Sequence, residues 1–285
     1  MFNDSLMSTE VIDVTNNPKS IILLKESADY TVLRTHRLGT GGIGEVFLGI
    51  YHKQDDITIA VKELVHEKFS DAATSDMENE AAIMVRLTHP NIVQFLGMGM
   101  GMGARGYAIL MEYMPNHSLY HLLHNAKPID WELLLQIARD ISSGLSYLHS
   151  KGIVHQDLKS PNILLGQGFR AKLSDFGMSR VKQESLSLHC NPTIGGTPAW
   201  MAPEVLCGEA NSSDASDMYS LGMVFWELFA KKTPFAGVNP FALVFQLKAG
   251  KREEIPGNII LITPPKVDFT HFYDSIENID QYKFS

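Results

Sequence analysis

Short apolar runs separated by glycine-rich and polar turns fill residues 30–64, and they predict a sheet of hairpins. Residues 71–87 then carry apolar side chains at helical spacing on one face. Apolar runs at residues 92–95 and 107–111 return to the strand pattern. The first part of the chain is therefore predicted to be a small sheet with one helix.

After residue 114 the pattern becomes helical. Residues 131–150 carry apolar side chains at steps of three and four, with Asp130 as the expected N-cap and Gly152 as the stop. Residues 218–230 are apolar on nearly all sides, as expected of a helix buried at the centre of a larger lobe. A further helix is expected over residues 240–249.

Composition and charge narrow the class of protein. The chain has 285 residues, of which 45% are hydrophobic and 20% charged, as in an ordinary globular protein. A net charge of -8 offers no basic field to a polyanion, so nucleic acid is not expected as a partner. Cys190 and Cys207 are too few for a disulfide framework, and no early apolar run could span a membrane, so a cytoplasmic location is expected. Residues 1–28 are expected to form a flexible leader or a short packed extension.

The glycine-rich stretch of residues 39–46 lies between two strand-like runs, whereas a dinucleotide-binding turn lies between a strand and a helix. Glycines allow the backbone to approach phosphates closely, and amide N–H groups can then face the anion. Taken alone, the motif fits a flexible hairpin without a ligand equally well.

Lys62 lies in an apolar strand, where alternation puts it on the same face as Ala60. Burying a lysine is costly unless it meets an anion, although an edge-strand lysine could instead point to water. The following helix offers Glu78 and Glu80. Glu80 shares its face with the apolar residues three, four and seven positions later, so we expect Glu80 to form the ion pair with Lys62.

Several polar residues lie close together in the chain at His155, Asp157, Lys159 and Asn162. Farther on, Asp175 precedes a Phe-Gly pair. Each residue alone would be unremarkable as a core histidine or as a turn or capping residue. Together they supply what phosphoryl transfer needs. Asp157 can orient a hydroxyl and accept its proton, Lys159 can neutralise the transferred phosphoryl group, and Asn162 with Asp175 can hold Mg²⁺.

At this point the chain resembles the eukaryotic protein kinases from about residue 32 to about residue 250. The ordered motifs are the glycine loop, Lys62, the stretches 155–162 and 175–177, the Ala-Pro-Glu of 202–204 and the stretch 217–222. The phrases at 155–162 and 196–204 are most similar to the tyrosine kinase-like group, which includes Raf and mixed-lineage kinases and mostly phosphorylates serine and threonine.

The resemblance implies ATP and Mg²⁺ as cofactors and a protein with a serine or threonine acceptor as substrate. Glu112 and Met114 would offer hinge backbone to adenine, with Met111 as gatekeeper. The nucleotide-contacting set that it implies is Leu38, Gly39, Gly41, Gly44, Val46, Ala60, Lys62, Met111, Glu112, Met114 and Leu164. A column that aligns the two lobes and is anchored by Asp217 would consist of Met84, Phe95, His155 and Phe176.

The chain departs from the family pattern at two places. Gln156 stands where many regulated kinases have arginine, so a phosphate on Ser185, Ser187 or Thr193 would lack its usual cation. After residue 250 no match to the final helices of the family is found, including the arginine that would pair with Glu204. Either residues 257–285 would then replace those helices, or a chaperone or a second subunit would cover the exposed side of the C-lobe.

The sequence therefore predicts an α+β bilobal kinase fold with a flexible leader at 1–28, an N-lobe at 29–114 and a C-lobe at 115–285. The N-lobe is expected to be a five-stranded antiparallel sheet with one helix, and the C-lobe mainly helical. The predicted function is an ATP-dependent Ser/Thr protein kinase in intracellular signalling. One alternative is a catalytically silent kinase-fold scaffold, favoured by the incomplete C-lobe. A tyrosine-directed kinase is disfavoured by Lys159 and by the Thr197-Pro198 pair.

Overall fold

A computed structural model describes residues 11–12, 21–40, 44–52, 55–64, 71–100, 107–125, 128–181 and 197–255. The chain divides into two compact units, Met1–Pro115 and Asn116–Ser285. Three sequence predictions lie outside the described residues. They concern Gly41, the phosphate acceptors Ser185, Ser187 and Thr193, and the segment 257–285.

The first unit is built on one sheet with a helix, as predicted. Its strands occur in the order β1-β2-β6-β7-β5-β4-β3, and every neighbouring pair is antiparallel except β2 and β6, which are parallel. The strands are β1 Val11–Ile12, β2 Ile21–Lys25, β3 Tyr30–Thr40, β4 Gly44–Tyr51, β5 Ile57–Leu64, β6 Phe95–Met100 and β7 Tyr107–Glu112. Helix α1, Asp71–Met84, follows β5.

The predicted strand number was too low. The five strands β3 to β7 form the expected antiparallel sheet, but β1 and β2 extend it from a stretch that was assigned to the leader. Strand β2 pairs with β6 in the register Leu23↔Met98, and Leu24 is fully buried. The apolar run before Lys25 is short and does not alternate with polar residues, so its pattern gave no strand signal. Strand β2 pairs with the edge of β6 that the five predicted strands would leave open, and a local sequence pattern cannot reveal such a partner.

One face of this sheet carries the hydrophobic core of the unit. Ile59 and Val61 of β5 belong to that core, so strand alternation places Ala60 and Lys62 on the opposite face. The buried core residues on this face are Leu24, Tyr30, Val32, Phe47, Tyr51, Ile59, Val61, Ala108 and Leu110. Lys62 therefore projects away from this core, toward the side of the sheet where its charge needs another partner.

Arg34 joins the segment after β2 to the rest of the sheet. Its Nη1 lies 2.7 Å from Glu26 Oε1, and its Nε donates to Glu63 Oε2 at 3.1 Å. Hydrogen bonding to Glu26 is the largest influence that raises the pKa of Arg34 above its ordinary value. A guanidinium shared by two carboxylates in this way fixes β3 against β5 and against the segment that follows β2.

The second unit is mainly helical in its described residues, with two short antiparallel ladders, β9 with β10 and β8 with β11. Its helices are α2 Leu119–Leu123, α3 Trp131–Ser150, α4 Pro203–Leu206, α5 Asp214–Ala230 and α6 Pro240–Lys248. Its strands are β8 Ile153–Val154, β9 Ile163–Leu165, β10 Ala171–Leu173 and β11 Arg180–Val181, and its 3-10 turns are Ser160–Asn162, Gln167–Phe169 and Pro198–Trp200. None of the helices among the described residues combines the length and apolar character that a membrane crossing requires.

Helix α3 forms with the predicted bounds, but its start is not capped as expected. Asp130 occupies the N-cap position, yet its side chain makes no capping hydrogen bond. The helix ends before Gly152, whose φ of 70° lies in the left-handed region that favours glycine. The predicted apolar face is buried, with Leu134, Ile137, Ile141, Leu145 and Leu148 in the core.

Helix α5 starts earlier than its apolar run. Ser213 Oγ accepts from Ser216 N at 3.4 Å, and Ser216 Oγ accepts from Ser213 N at 2.8 Å, which makes a reciprocal cap. Most of α5 is buried, but Met218 is 41% exposed. Helix α6 exposes Phe241 to 75% and Phe245 to 74%. The described part of this unit therefore leaves apolar side chains of α6 at its surface.

Replacing Gly99 of β6 by alanine tests how closely Tyr30 and Leu110 pack against this strand. A Cβ at this position would lie 2.7 Å from Tyr30 Cζ and 2.8 Å from Leu110 Cδ1, and both residues are fully buried. We expect Gly99→Ala to lower the free energy of unfolding by about 1 to 3 kcal/mol, because the rigid ring has no room to move. Chemical denaturation measures this change.

Gly39→Ala is the matched control in the same sheet, since a Cβ there would meet no atom of the described residues within 4 Å. Its effect on stability should stay within about 1 kcal/mol. Equal stability of the two variants would contradict the packing described for Tyr30.

Candidate active site

Lys62 and Glu80 form a buried ion pair in the first unit. Lys62 Nζ donates to Glu80 Oε1 at 2.8 Å and to Glu80 Oε2 at 2.7 Å. The two residues are only 4% and 2% exposed. Because α1 is the next described element after β5 and places Glu80 one turn before its buried C-terminal residues, the carboxylate can reach the strand. The structure thus joins the strand lysine to the glutamate selected by helical spacing.

The strand register aligns three of the residues that the sequence assigned to nucleotide binding. Gly39 pairs with Val46, and Val46 pairs with Lys62 on the next strand. Val46 is half-buried and Leu38 is 39% exposed, while Gly44 begins β4 and is buried. Gly39, Val46 and Lys62 therefore lie side by side on three neighbouring strands.

Strand β7 contributes the remaining predicted contacts of this unit. Met111 pairs with Ala60 of β5, and both are largely buried. At the strand end, Glu112 N donates to Gln94 O at 3.0 Å, and Glu112 Oε1 accepts from Gln94 N at 2.7 Å. Met114 is buried two residues later. The side chain of Glu112 is thus used to hold its own backbone in place.

Asp157, Lys159 and Asn162 meet in one cluster in the second unit. Lys159 Nζ lies 2.7 Å from Asp157 Oδ2, and Asn162 Nδ2 donates to the same carboxylate oxygen at 3.0 Å and to Asp157 O at 2.9 Å. Asn162 is buried in a 3-10 turn that begins with Ser160 and Pro161. With its NH₂ group directed at Asp157, the amide oxygen of Asn162 is the atom that can face a cation.

Asp217 of α5 holds the loop that carries this cluster. Its Oδ2 accepts from His155 N at 2.8 Å, and its Oδ1 accepts from Gln156 N at 2.9 Å. His149 Nε2 lies 2.9 Å from the same carboxylate, which is 1% exposed. Gln156 has a φ of 69°, so the backbone changes direction at the residue whose amide donates to Asp217. The contact from His149 was missed, because a histidine near the end of an amphipathic helix gives no sequence signal.

Asp175 and Phe176 are tied to the same loop. Ser174 donates to Asn162 O through its amide at 2.9 Å and through its hydroxyl at 2.8 Å. Asp175 is half-buried with a φ of 61°, a conformation that aspartate tolerates better than most residues. The rings of Phe176 and His155 lie 5.4 Å apart, as predicted for part of the aligned column, whereas Met84 and Phe95 belong to the first unit.

Lys159 also connects the cluster to the segment that precedes α4. Its Nζ donates to Thr197 Oγ1 at 2.8 Å. Leu164, the remaining predicted contact, is half-buried in β9 and pairs with Lys172. Lys159 therefore contacts both a carboxylate and a hydroxyl, a suitable arrangement for a cation that stabilises charge beside a bound hydroxyl group.

A buried carboxylate that sequence reasoning missed lies on α5. Glu227 is fully buried, and its oxygens lie 3.0 Å from Trp200 Nε1 and 2.9 Å from His124 Nε2. Burial raises the pKa of Glu227 above its ordinary value, and interactions with Ser160, His124 and Trp200 oppose that rise. Its signal was the one acidic residue in the largely apolar run 218–230, where a charge needs polar partners.

The donor set suits a magnesium ion bound together with a polyphosphate. Among the described residues no group of three or more His, Cys, Asp and Glu side chains could hold a metal by itself. Asn162 and Asp175 supply two oxygen ligands on backbone segments that Ser174 fixes to each other. Mg²⁺ typically takes one or two protein oxygens and completes its shell with phosphates and water, so these residues fit that ion.

Comparison with known proteins gives a family match over most of the chain. Residues 32–261 match the model described as protein tyrosine and serine/threonine kinase. This match ends at residue 261, about ten residues beyond the point where the motif resemblance ended. Strands β1 and β2 precede the match, which explains why the motif pattern did not include them.

Relatives are found in several lineages. The chain is 36% identical to probable serine/threonine-protein kinase drkA of Dictyostelium discoideum, over 81% of this chain and 34% of the relative. It is 39% identical to serine/threonine-protein kinase CTR1 of Arabidopsis thaliana, over 78% of this chain and 27% of the relative. It is 37% identical to putative serine/threonine-protein kinase/receptor R831 of Acanthamoeba polyphaga mimivirus, over 86% of this chain and 14% of the relative. The chain thus spans about a third or less of the length of these relatives.

A double-mutant cycle on Lys62 and Glu80 tests whether the pair is a coupled buried unit. Lys62→Met alone should lower the free energy of unfolding by about 3 to 5 kcal/mol, because Glu80 would keep its buried charge without the ammonium. Lys62→Met combined with Glu80→Leu should recover much of that loss. Chemical denaturation of the four proteins gives the coupling energy.

The exposed pair Arg37 and Glu45 is the control, with a 2.8 Å contact between side chains that are 59% and 32% exposed. Its coupling should stay below about 1 kcal/mol. Additive effects of the Lys62 and Glu80 substitutions would show that the buried pair is not a unit.

Proposed function

The chain belongs to the protein tyrosine and serine/threonine kinase family, and we propose that it transfers the γ-phosphoryl group of ATP to serine or threonine hydroxyls of a protein. The observation that carries this proposal is the cluster in which Lys159 Nζ and Asn162 Nδ2 both contact Asp157 Oδ2, at 2.7 and 3.0 Å. A carboxylate held in this way is oriented to accept the proton of an incoming hydroxyl.

The remaining residues are assigned the roles that the resemblance to the family implies. Lys62, held by Glu80, would bind the phosphates of ATP as the ammonium of a strand lysine. Asn162 and Asp175 would hold Mg²⁺, which neutralises charge on the phosphate oxygens when it is bound. Glu112 and Met114 would present backbone groups to the adenine ring. In this scheme the protein mainly positions reactants and neutralises charge, which is what phosphoryl transfer requires.

Serine and threonine are preferred over tyrosine as acceptors because of the Lys159 contact. Lys159 Nζ donates to Thr197 Oγ1 at 2.8 Å, which places the segment at Thr197 close to Asp157. The names of the related serine/threonine kinases support the same preference.

We expect Asp175→Asn and Lys62→Met each to reduce phosphoryl transfer at least about 100-fold, because each removes a charge that acts on the phosphates or on their metal ion. Asparagine also tolerates the φ of 61° at position 175, so the backbone should be retained. Incorporation of label from radiolabelled ATP into a generic protein substrate measures the change. Chelation of Mg²⁺ should abolish incorporation by the wild-type protein.

Two control variants match these substitutions in chemistry. Asp55→Asn changes an exposed aspartate at a φ of 45°, and Lys232→Met changes an exposed lysine. Both should keep wild-type transfer. Turnover by Asp175→Asn or Lys62→Met close to that of its control would refute the assigned site. If the wild-type protein shows no phosphoryl transfer, the alternative of a catalytically silent scaffold is favoured.

Gln156 generates a prediction about regulation. It offers no guanidinium to a phosphate on the neighbouring segment, so phosphatase treatment should change wild-type activity only slightly. Gln156→Arg should increase that dependence, provided that the segment is phosphorylated. Activity before and after phosphatase treatment, with phosphate occupancy followed by mass spectrometry, measures the effect. A large and reversible loss of wild-type activity on dephosphorylation would contradict this expectation.

A further inference from the structure

Two histidines face each other near the start of the second unit. His117 lies two residues before α2, and His121 lies within this helix, four residues farther along the chain. The centroids of their rings are 4.7 Å apart, and the ring planes make an angle of 40°. Both residues are exposed, so ions in solution can reach the rings.

These two imidazoles differ from the other histidines that the structure describes. In each of the others a ring nitrogen lies within hydrogen-bond distance of another polar atom, and these residues are His36, His52, His89, His124, His149 and His155. Within the described part of the chain, the rings of His117 and His121 make neither a hydrogen bond nor an ion pair. Each neutral imidazole therefore keeps a nitrogen lone pair for an added ligand.

Hydrogen bonds fix the backbone on which both rings are carried. His117 O accepts from Leu165 N at 2.8 Å, and Asn116 N donates to Leu165 O at 3.0 Å. His121 N donates to Ser118 Oγ at 3.2 Å, which caps α2. His117 has a φ of 59°, in the left-handed region that histidine tolerates better than most residues. A ligand shared by the two rings would thus meet a backbone that is already ordered, which lowers the entropy cost of binding.

The spacing of the rings suits a metal ion that is bound by a nitrogen of each. A bond of about 2.0 to 2.1 Å from an imidazole nitrogen to Zn²⁺ puts the ring centroid about 3.2 Å from the ion. An angle of about 90 to 110° at the ion then separates the two centroids by about 4.5 to 5.2 Å. The observed separation of 4.7 Å lies within this range. Imidazole is a typical ligand of Zn²⁺, Cu²⁺ and Ni²⁺, whereas Mg²⁺ prefers oxygen.

We propose that His117 and His121 form a binding site for a divalent first-row transition cation such as Zn²⁺. Two protein nitrogens leave the other positions of the ion to water, so the site exchanges its ion, unlike a structural zinc centre with four protein ligands. It is smaller than a group of three or more His, Cys, Asp and Glu ligands, none of which occurs among the described residues. The site uses none of the residues assigned to Mg²⁺, and it does not depend on the proposed kinase function.

A bound ion would join α2 to the segment that precedes it. Ser118 forms an isolated bridge with Leu164, and His117 accepts from the next residue of the same strand, Leu165. The proposed metal site is therefore attached to β9. Binding of the ion should hold these backbone contacts more firmly, because an ion that binds the folded state stabilises it.

Titration of the purified chain with Zn²⁺ in excess Mg²⁺ tests the site, since Mg²⁺ competes for oxygen ligands elsewhere. The imidazole proton resonances of His117 and His121 should shift together when Zn²⁺ is added, and Mg²⁺ alone should leave them in place. Isothermal titration calorimetry measures the affinity. His117→Asn and His121→Gln should each weaken Zn²⁺ binding at least about tenfold, because loss of a ligand costs at least as much as loss of a residue that orients one. Asparagine tolerates the φ of 59° at position 117.

Two control variants replace histidines that have other partners. His36 is exposed and lies 3.0 Å from Thr35 Oγ1, and His52 Nδ1 lies 2.6 Å from Asp56 Oδ1. His36→Gln and His52→Gln should change the affinity for Zn²⁺ less than about twofold, since they lie in the first unit and share no partner with the proposed site. Equal affinity in the wild-type protein, His117→Asn and His121→Gln would overturn the proposal, wherever else the ion binds.

Amide hydrogen exchange gives a second test that needs no catalytic activity. Because Leu165 N donates to His117 O, Zn²⁺ should slow exchange at Leu165 in the wild-type protein. The same addition of Zn²⁺ should leave exchange at Leu165 unchanged in His121→Gln. Unchanged exchange in the wild-type protein, or equal slowing in both proteins, would contradict a site shared by His117 and His121.

Discussion

The site in the second unit depends on the two hydrogen bonds that the Asp217 carboxylate accepts from the loop at His155. One buried carboxylate accepts from two successive amides, at 2.8 and 2.9 Å, and so fixes a backbone reversal that no regular ladder could hold. Asp157 follows this reversal directly, and its contacts with Lys159 and Asn162 require the loop to keep that shape. The apolar helix α5 that carries Asp217 acts as the rigid support.

The same constraint applies to two other buried carboxylates, one in each unit. A charge inside a protein is retained only where donors or an opposite charge compensate for lost hydration. Glu80 meets that condition through Lys62, and Glu227 meets it through Trp200 and His124. Each buried carboxylate thus joins segments that are distant in sequence, so the requirement for compensation also positions the polar groups proposed to act on substrates.

Sequence patterns predicted the features that depend on local spacing. Helical periodicity selected Glu80 over Glu78, and the structure places Glu80 against Lys62. The same patterns could not reveal contacts made by partners far along the chain. Strand β2 exists because the edge of β6 is available, and the Glu227 contacts depend on the fold around α5. The start of α5 was placed too late because the reciprocal cap of Ser213 and Ser216 lies outside the apolar run.

The central claim is that Asp157, Lys159 and Asn162 direct phosphate to an aliphatic hydroxyl of a protein. The most direct measurement is the identity of the phosphorylated amino acid after the purified chain is incubated with ATP, Mg²⁺ and a protein that offers serine, threonine and tyrosine. The account predicts phosphoserine or phosphothreonine, and no product when Asp157 is replaced by alanine. Phosphotyrosine as the main product, or the same product from the Asp157→Ala protein, would contradict it.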